Sequence, residues 1–187
     1  MKVVLAASDQ GDLSDEFRAL AELKHPYIVQ VCGFTLGSPP NRSDKSWIVI
    51  LELCDRDLED LLDKTKEEMP WSMRLAIGQM IASGMGFIHS RGVHHYDLKS
   101  GNVLLKKTDD GWIVKIADFG MANDVADAPE KEPFGTWEYM SPEARSRQHG
   151  ALGKPADVFS FAMVLWEMYA QRRIHVSLPS SENIPSV

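Results

Sequence analysis

The chain has 187 residues, 44% hydrophobic and 25% charged, with a net charge of −7. That size suits one domain, and the composition is that of an ordinary soluble globular protein, not a fibrous or wholly disordered one. Twenty basic against 27 acidic residues argue against a nucleic-acid polyanion as the main ligand.

Residues 2–6 form a short apolar run consistent with a strand. Asp12-Leu13-Ser14-Asp15 resembles a capping box; Leu13, Phe17, Leu20 and Lys24 then mark one helical face, and Pro26 ends the helix. Residues 28–34 and 47–53 read as strands on either side of a polar loop containing Pro39-Pro40. Beyond Leu58 the pattern turns helical. Met73, Ile77, Met80, Ile81, Met85 and Ile88 predict a core helix over residues 71–90. Residues 103–105 and 112–116 predict a hairpin around Asp109-Asp110-Gly111. Residues 158–169 are apolar on nearly every face, the pattern of a helix buried all round. The tail over residues 171–187 is polar and contains proline, as a disordered segment would.

The two cysteines, Cys32 and Cys54, form no CxxC pair and fit a reduced, cytoplasmic setting. No uncharged apolar stretch approaches the ~18 residues of a membrane span, and residues 1–11 lack the apolar length of a signal peptide. No feature of the sequence sets an oligomeric state.

The chemistry lies between the strand-rich first part and the helical second part. His95-Tyr96-Asp97-Leu98-Lys99-Ser100-Gly101-Asn102 is followed by Asp118-Phe119-Gly120, then by Gly135-Thr136-Trp137-Glu138-Tyr139-Met140-Ser141-Pro142-Glu143, then by Asp157-Val158-Phe159-Ser160-Phe161-Ala162. In order and spacing these segments resemble the catalytic loop, the DFG tripeptide, the end of the activation segment and the following helix of eukaryotic-type protein kinases. Lys99 and Thr136 resemble serine/threonine kinases, and the D-L-K-S-G-N-V-L-L wording looks like their tyrosine-kinase-like group.

The resemblance implies an α+β, two-lobed kinase fold over residues 1–170, with a small lobe over 1–53 and a large lobe over 54–170. It also implies transfer of the γ-phosphate of ATP to hydroxyls of a protein substrate. Phosphoryl transfer needs positioning and charge neutralisation more than covalent help. Asp97 would then accept the substrate hydroxyl's proton, and Lys99 would reach the transferring phosphate. Asn102 and Asp118 supply the hard oxygen ligands that Mg²⁺ prefers. By the same resemblance, the backbone at Glu52 and Cys54 would meet the adenine edge. Glu16 takes the place of the helix glutamate that pairs with a strand lysine, here Lys2. A solvated lysine and a surface carboxylate are the alternatives for that pair.

Three departures stand out. No G-x-G-x-x-G loop precedes Lys2, and only 17 residues follow Ala170, so the small lobe is expected to lack its first strands and the large lobe its last helices. Tyr96 replaces the family's arginine. Residues 121–135 contain no serine, threonine or tyrosine, so a phosphate and the arginine that would bind it are both missing. A pseudokinase, a non-catalytic interaction module or an inactive fragment is therefore the alternative reading.

Overall fold

The computed structural model of the chain describes residues 2–5, 21–38, 46–64, 68–119, 135–146 and 153–174. Strands β1 (Lys2–Leu5), β2 (Val31–Gly37) and β3 (Ser46–Leu51) form an antiparallel sheet with β3 in the centre. Strands β4 (Arg56–Asp57), β5 (Val103–Thr108) and β6 (Gly111–Ile116) form a second antiparallel sheet centred on β5. Helices α1 (Leu58–Lys64) and α2 (Trp71–Ser90) pack on the second sheet, α3 (Pro142–Arg145) follows, and α4 (Lys154–Ala170) packs on α2.

The helix over 71–90 has the bounds its apolar spacing predicts. Ile77, Ile81 and Ile88 are 0–1% exposed, and each such burial stabilises by about 1.5–3 kcal/mol. Gly84 lets α2 lie against β6, since a Cβ there would stand 2.7 Å from Ile116 Cδ1. The hairpin also forms, with Thr108 opposite Gly111 at its tip. Helix α1 starts at a side-chain cap, the Asp57 carboxylate accepting the Asp60 N–H at 2.7 Å.

Two cores result. The larger gathers Leu58, Ile81, Ile88, Leu98, Ile116, Phe119, Val164 and Met168; the smaller holds Val29, Val49, Leu51, Leu104 and Ala117. Strand β5 faces both, because alternate side chains point to opposite faces. Val103 and Leu105 enter the larger core and Leu104 the smaller.

Several expected bounds shift. The strand expected at 28–34 runs instead from Val31 to Gly37. The residues before it are extended but pair elsewhere. Ile28 bridges Ile116, Val29 N–H donates to Ile116 O at 2.8 Å, and Ile116 N–H to Tyr27 O at 2.9 Å. The strand expected at 47–53 ends at Leu51. The first helix ends at Glu22, ahead of Lys24, and its expected start lies outside the described residues.

Helix α4 is not buried all round. Val158, Leu165, Trp166 and Tyr169 are 58%, 39%, 41% and 66% exposed, while Asp157, Ser160 and Glu167 are buried. The helical period turns these polar side chains inward together with Val164 and Met168, and leaves the four exposed apolar ones outside. The helix closes at Gln171, which adopts a left-handed conformation with φ 48°. Its side-chain oxygen accepts from Met69 N–H at 3.1 Å and Arg74 Nη2 at 2.7 Å. Arg74 also donates to Met69 O and Tyr169 O, so one guanidinium joins the start of α2 to the end of α4. Just beyond, Ile174 N–H donates to Glu167 Oε1 at 3.0 Å. Among the described residues no helix is long and apolar enough to cross a membrane.

Candidate active site

The loop after α2 is fixed from below by one carboxylate. Asp157, at the start of α4, accepts the N–H of His95 at 2.8 Å, the N–H of Tyr96 at 2.7 Å and His89 Nε2 at 2.8 Å. Its side chain has no exposed surface. These bonds hold Tyr96 at φ 59°, a conformation that costs about 1–3 kcal/mol in a residue with a Cβ. Gly135, at φ 90°, lies against the same turn; a Cβ there would come within 2.5 Å of Tyr96 O.

His95 is fully buried, and desolvation holds its imidazole below the ordinary histidine range, so it is neutral. Its Nδ1 accepts the Asp97 N–H at 3.3 Å, which leaves the proton on Nε2 to donate to Ala117 O at 3.0 Å. The N–H of Ala117 donates to Asn102 O at 2.9 Å. Ala117 is thereby clamped to the loop on both sides, and the next residue, Asp118, turns to φ 66° with an exposed carboxylate. Phe119 enters the larger core, its ring 5.1 Å from that of His95.

Asp97, Lys99, Asn102 and Thr136 form one bonded cluster. Asp97 Oδ1 accepts the Thr136 hydroxyl at 2.7 Å and the Thr136 N–H at 2.8 Å. Asp97 Oδ2 accepts Lys99 Nζ at 2.8 Å and Asn102 Nδ2 at 3.2 Å. Lys99 Nζ also donates to Thr136 Oγ1 at 2.8 Å. Asn102 Nδ2 donates to Asp97 O at 2.8 Å, which turns the amide oxygen away from Asp97. The Asn102 amide oxygen and the exposed Asp118 carboxylate are the hard donors that suit Mg²⁺. Among the described residues no three His, Cys, Asp or Glu side chains converge as a metal cage.

The other expected residues lie apart from this cluster. Glu52 and Cys54 occupy the connection between β3 and β4. Glu52 N–H donates to Gln30 O at 2.9 Å. Its carboxylate is held below the usual range by hydrogen bonds from Lys115, Gln30 N–H and Lys106, which outweigh desolvation. Burial, reinforced by Glu52, raises the Cys54 thiol. Lys2 begins β1 opposite Leu51. Glu16 and residues 121–134 lie outside the described residues.

The structure adds residues to which the sequence assigned no role. Asp157 was legible only as a helix start, and its contact with Tyr96 spans 61 positions. A second buried set joins Ser100, Tyr139 and Glu167. The Tyr139 hydroxyl donates to the Glu167 carboxylate at 2.9 Å and meets Ser100 Oγ at 3.0 Å. Burial, with Glu167 alongside, drives the Tyr139 phenol well above its ordinary pKa. A glutamate in an apolar helical stretch was the available signal.

Comparison with known proteins identifies the family. The chain is 37% identical over 162 residues to "Probable serine/threonine-protein kinase drkD" of Dictyostelium discoideum, covering 84% of this chain and 12% of that protein. It is 30% identical over 188 aligned positions to dual specificity testis-specific protein kinase 2 of Rattus norvegicus, covering 98% of this chain and 32% of that protein. It is 32% identical over 186 aligned positions to the interferon-induced, double-stranded RNA-activated protein kinase of the same organism, covering 90% and 34%. The chain thus spans between about an eighth and a third of the length of these relatives. The family model for the protein kinase domain matches residues 1–184, and the chain belongs to that family.

Proposed function

We propose that this domain transfers the γ-phosphoryl group of ATP to serine or threonine hydroxyls of a protein substrate. The observation that carries the reading is the Thr136 hydroxyl, docked between Asp97 Oδ1 and Lys99 Nζ at 2.7 and 2.8 Å. An aliphatic hydroxyl facing a carboxylate and an ammonium is the arrangement a substrate alcohol needs. Asp97 orients the attacking oxygen and takes its proton. The oxygen bonds to the γ-phosphorus as the bridge to the β-phosphate breaks, and ADP leaves with that bridging oxygen. Lys99 faces the charge that builds on the transferring group.

Asn102 Oδ1 and the Asp118 carboxylate would hold Mg²⁺, which supplies neutralisation of phosphate charge when bound. The adenine edge would meet the Glu52 carbonyl and the Cys54 N–H, since the Glu52 N–H is committed to Gln30. That connection also divides the lobes we assign, residues 1–53 and 54–170. Lys2 and Glu16 would complete the phosphate side as an ion pair. Two free thiols suit a cytoplasmic location.

A non-catalytic binding module is the rival reading, and the exposed apolar stripe on α4 favours it. Phosphotransfer to a generic protein substrate separates the two. Catalysis predicts turnover that falls by at least about 100-fold in Asp97→Asn. Equal, background-level rates in both proteins would sink the proposal.

A further inference from the structure

The Glu52 side chain stands where four segments meet. Oε1 accepts the Gln30 N–H at 3.0 Å and Lys115 Nζ at 2.7 Å, and Oε2 accepts Lys106 Nζ at 3.1 Å. Lys106 lies on β5 and Lys115 on β6. Gln30 follows Val29, which bonds Ile116 O, and precedes β2. The carboxylate therefore ties the end of the first sheet to both long strands of the second. Exposed ion pairs contribute little. Here the Glu52 and Lys115 side chains are each only 14% exposed, and three donors converge on one carboxylate.

The far end of the same connection is also tied. Asp55 N–H donates to Leu105 O at 2.9 Å, and the Asp55 carboxylate accepts the Lys107 N–H at 2.7 Å. Between these anchors Leu53 is 60% exposed, while Cys54 packs against the smaller core. The stretch from Glu52 to Asp55 is thus held at each end by a main-chain N–H and a carboxylate, with the Glu52 carboxylate taking the larger number of donors. A segment ordered beforehand loses less freedom when a ligand binds it.

We propose that Glu52 is a positioning residue for the nucleotide: its carboxylate, bound by Lys115, Lys106 and the Gln30 N–H, holds the backbone that meets the adenine edge. This rests on the nucleotide-binding reading above. Glu52 acts through its own main chain and that of Cys54, so its side chain affects nucleotide affinity and not the chemical step.

The test uses the full chain and the near-isosteric Glu52→Gln, with Lys115→Met as a second variant that leaves Glu52 its other partners. Mg-ATP affinity is read by titration calorimetry. Amide hydrogen exchange at Leu53, Cys54 and Asp55 is read without nucleotide. Each substitution is expected to weaken Mg-ATP binding by about five- to tenfold. The double variant should lose less than the product of the two, as for residues sharing one contact. Exchange at residues 53–55 should quicken in both. In turnover, KM for ATP should rise while kcat stays within about twofold, the signature of lost uniform binding. Mg-ATP affinity and exchange unchanged in folded Glu52→Gln would overturn the role of Glu52 alone. No binding of Mg-ATP by the unsubstituted chain would overturn the nucleotide reading, and the role with it.

Discussion

Thr136 gives both its hydroxyl and its backbone N–H to the same oxygen of Asp97, at 2.7 and 2.8 Å. The hydroxyl in turn accepts Lys99 Nζ, so it bridges both members of an ion pair that also touches directly at 2.8 Å. Thr136→Val keeps the shape and the N–H contact but removes that bridge. Hydrogen bonds to charged groups are worth about 1.5–3 kcal/mol, and partial exposure places this loss at about 1–2 kcal/mol. Urea unfolding should show it, with Thr136→Ser close to the unsubstituted chain. Equal stability of the Val and Ser variants would contradict the bridge.

Asp118 and Asp97 should separate in nucleotide binding. Asp118→Asn removes a carboxylate assigned to the metal, whereas Asp97→Asn alters a group assigned to the substrate hydroxyl, acting mainly in the transition state. Calorimetric titration with ATP, with and without Mg²⁺, should show the larger Mg²⁺-dependent loss in Asp118→Asn. Equal losses would undo the division of roles.

The buried histidine sets a pH dependence. Desolvation lowers the His95 pKa in the fold, and burial followed by the Lys115 charge lowers that of His25. The unfolded chain therefore binds more protons than the folded one once the pH drops below about 6.5, the ordinary histidine value. Stability is fully present above that pH and declines as the pH falls towards the depressed folded values. Urea midpoints measured from pH 7.5 to 5 should fall. Glu52, whose pKa is also lowered, adds a loss of the same sign only below about 4.5. A midpoint flat between pH 7.5 and 5 would rule out a neutral, buried His95.

Gly135→Ala should destabilise by about 1–3 kcal/mol, because it puts a Cβ at positive φ against the Tyr96 carbonyl. Gly86→Ala, on α2 with open space around it, should instead be neutral or stabilising by about 1 kcal/mol. Thermal unfolding of the pair checks both signs.

The outward face of α4 should make the chain associate. Val158, Leu165, Trp166 and Tyr169 are exposed, and Tyr169 continues onto Trp71 of α2 with ring centroids 5.9 Å apart. Contiguous apolar surface of this kind favours association. Light scattering should rise with concentration and fall in Val158→Lys/Leu165→Lys, which touches none of the buried polar contacts. Concentration-independent scattering would count against an adhesive face.

What was legible in the sequence was what local spacing encodes. The helix over 71–90 carries its period in its own residues, and the Asp109-Asp110-Gly111 turn marks its hairpin. Asp97, Lys99 and Asn102 were found together because they share one short loop. Partners distant in sequence were not legible: nothing near Tyr96 announces Asp157, and nothing near Glu52 announces Lys115. The facing of α4 escapes the sequence for a related reason. Its apolar content suggested all-round burial, whereas Asp157, Ser160 and Glu167 turn inward to serve the loops. The strand at 28–34 was displaced because Ile28 and Val29 meet β6 before the chain reaches the first sheet.

Strand β5 has a consequence for how this gene tolerates change. Because Leu104 looks into one core and its two neighbours into the other, single replacements there disturb one interior at a time. Deleting or inserting one codon within 103–105 would exchange the two facings, forcing each core to take side chains cut for the other. Frame-preserving length changes should thus be purged from this stretch more stringently than any substitution. The exposed tip at Asp109 and Asp110, a few residues on, should accept inserted sequence freely and offers a place for a reporter tag.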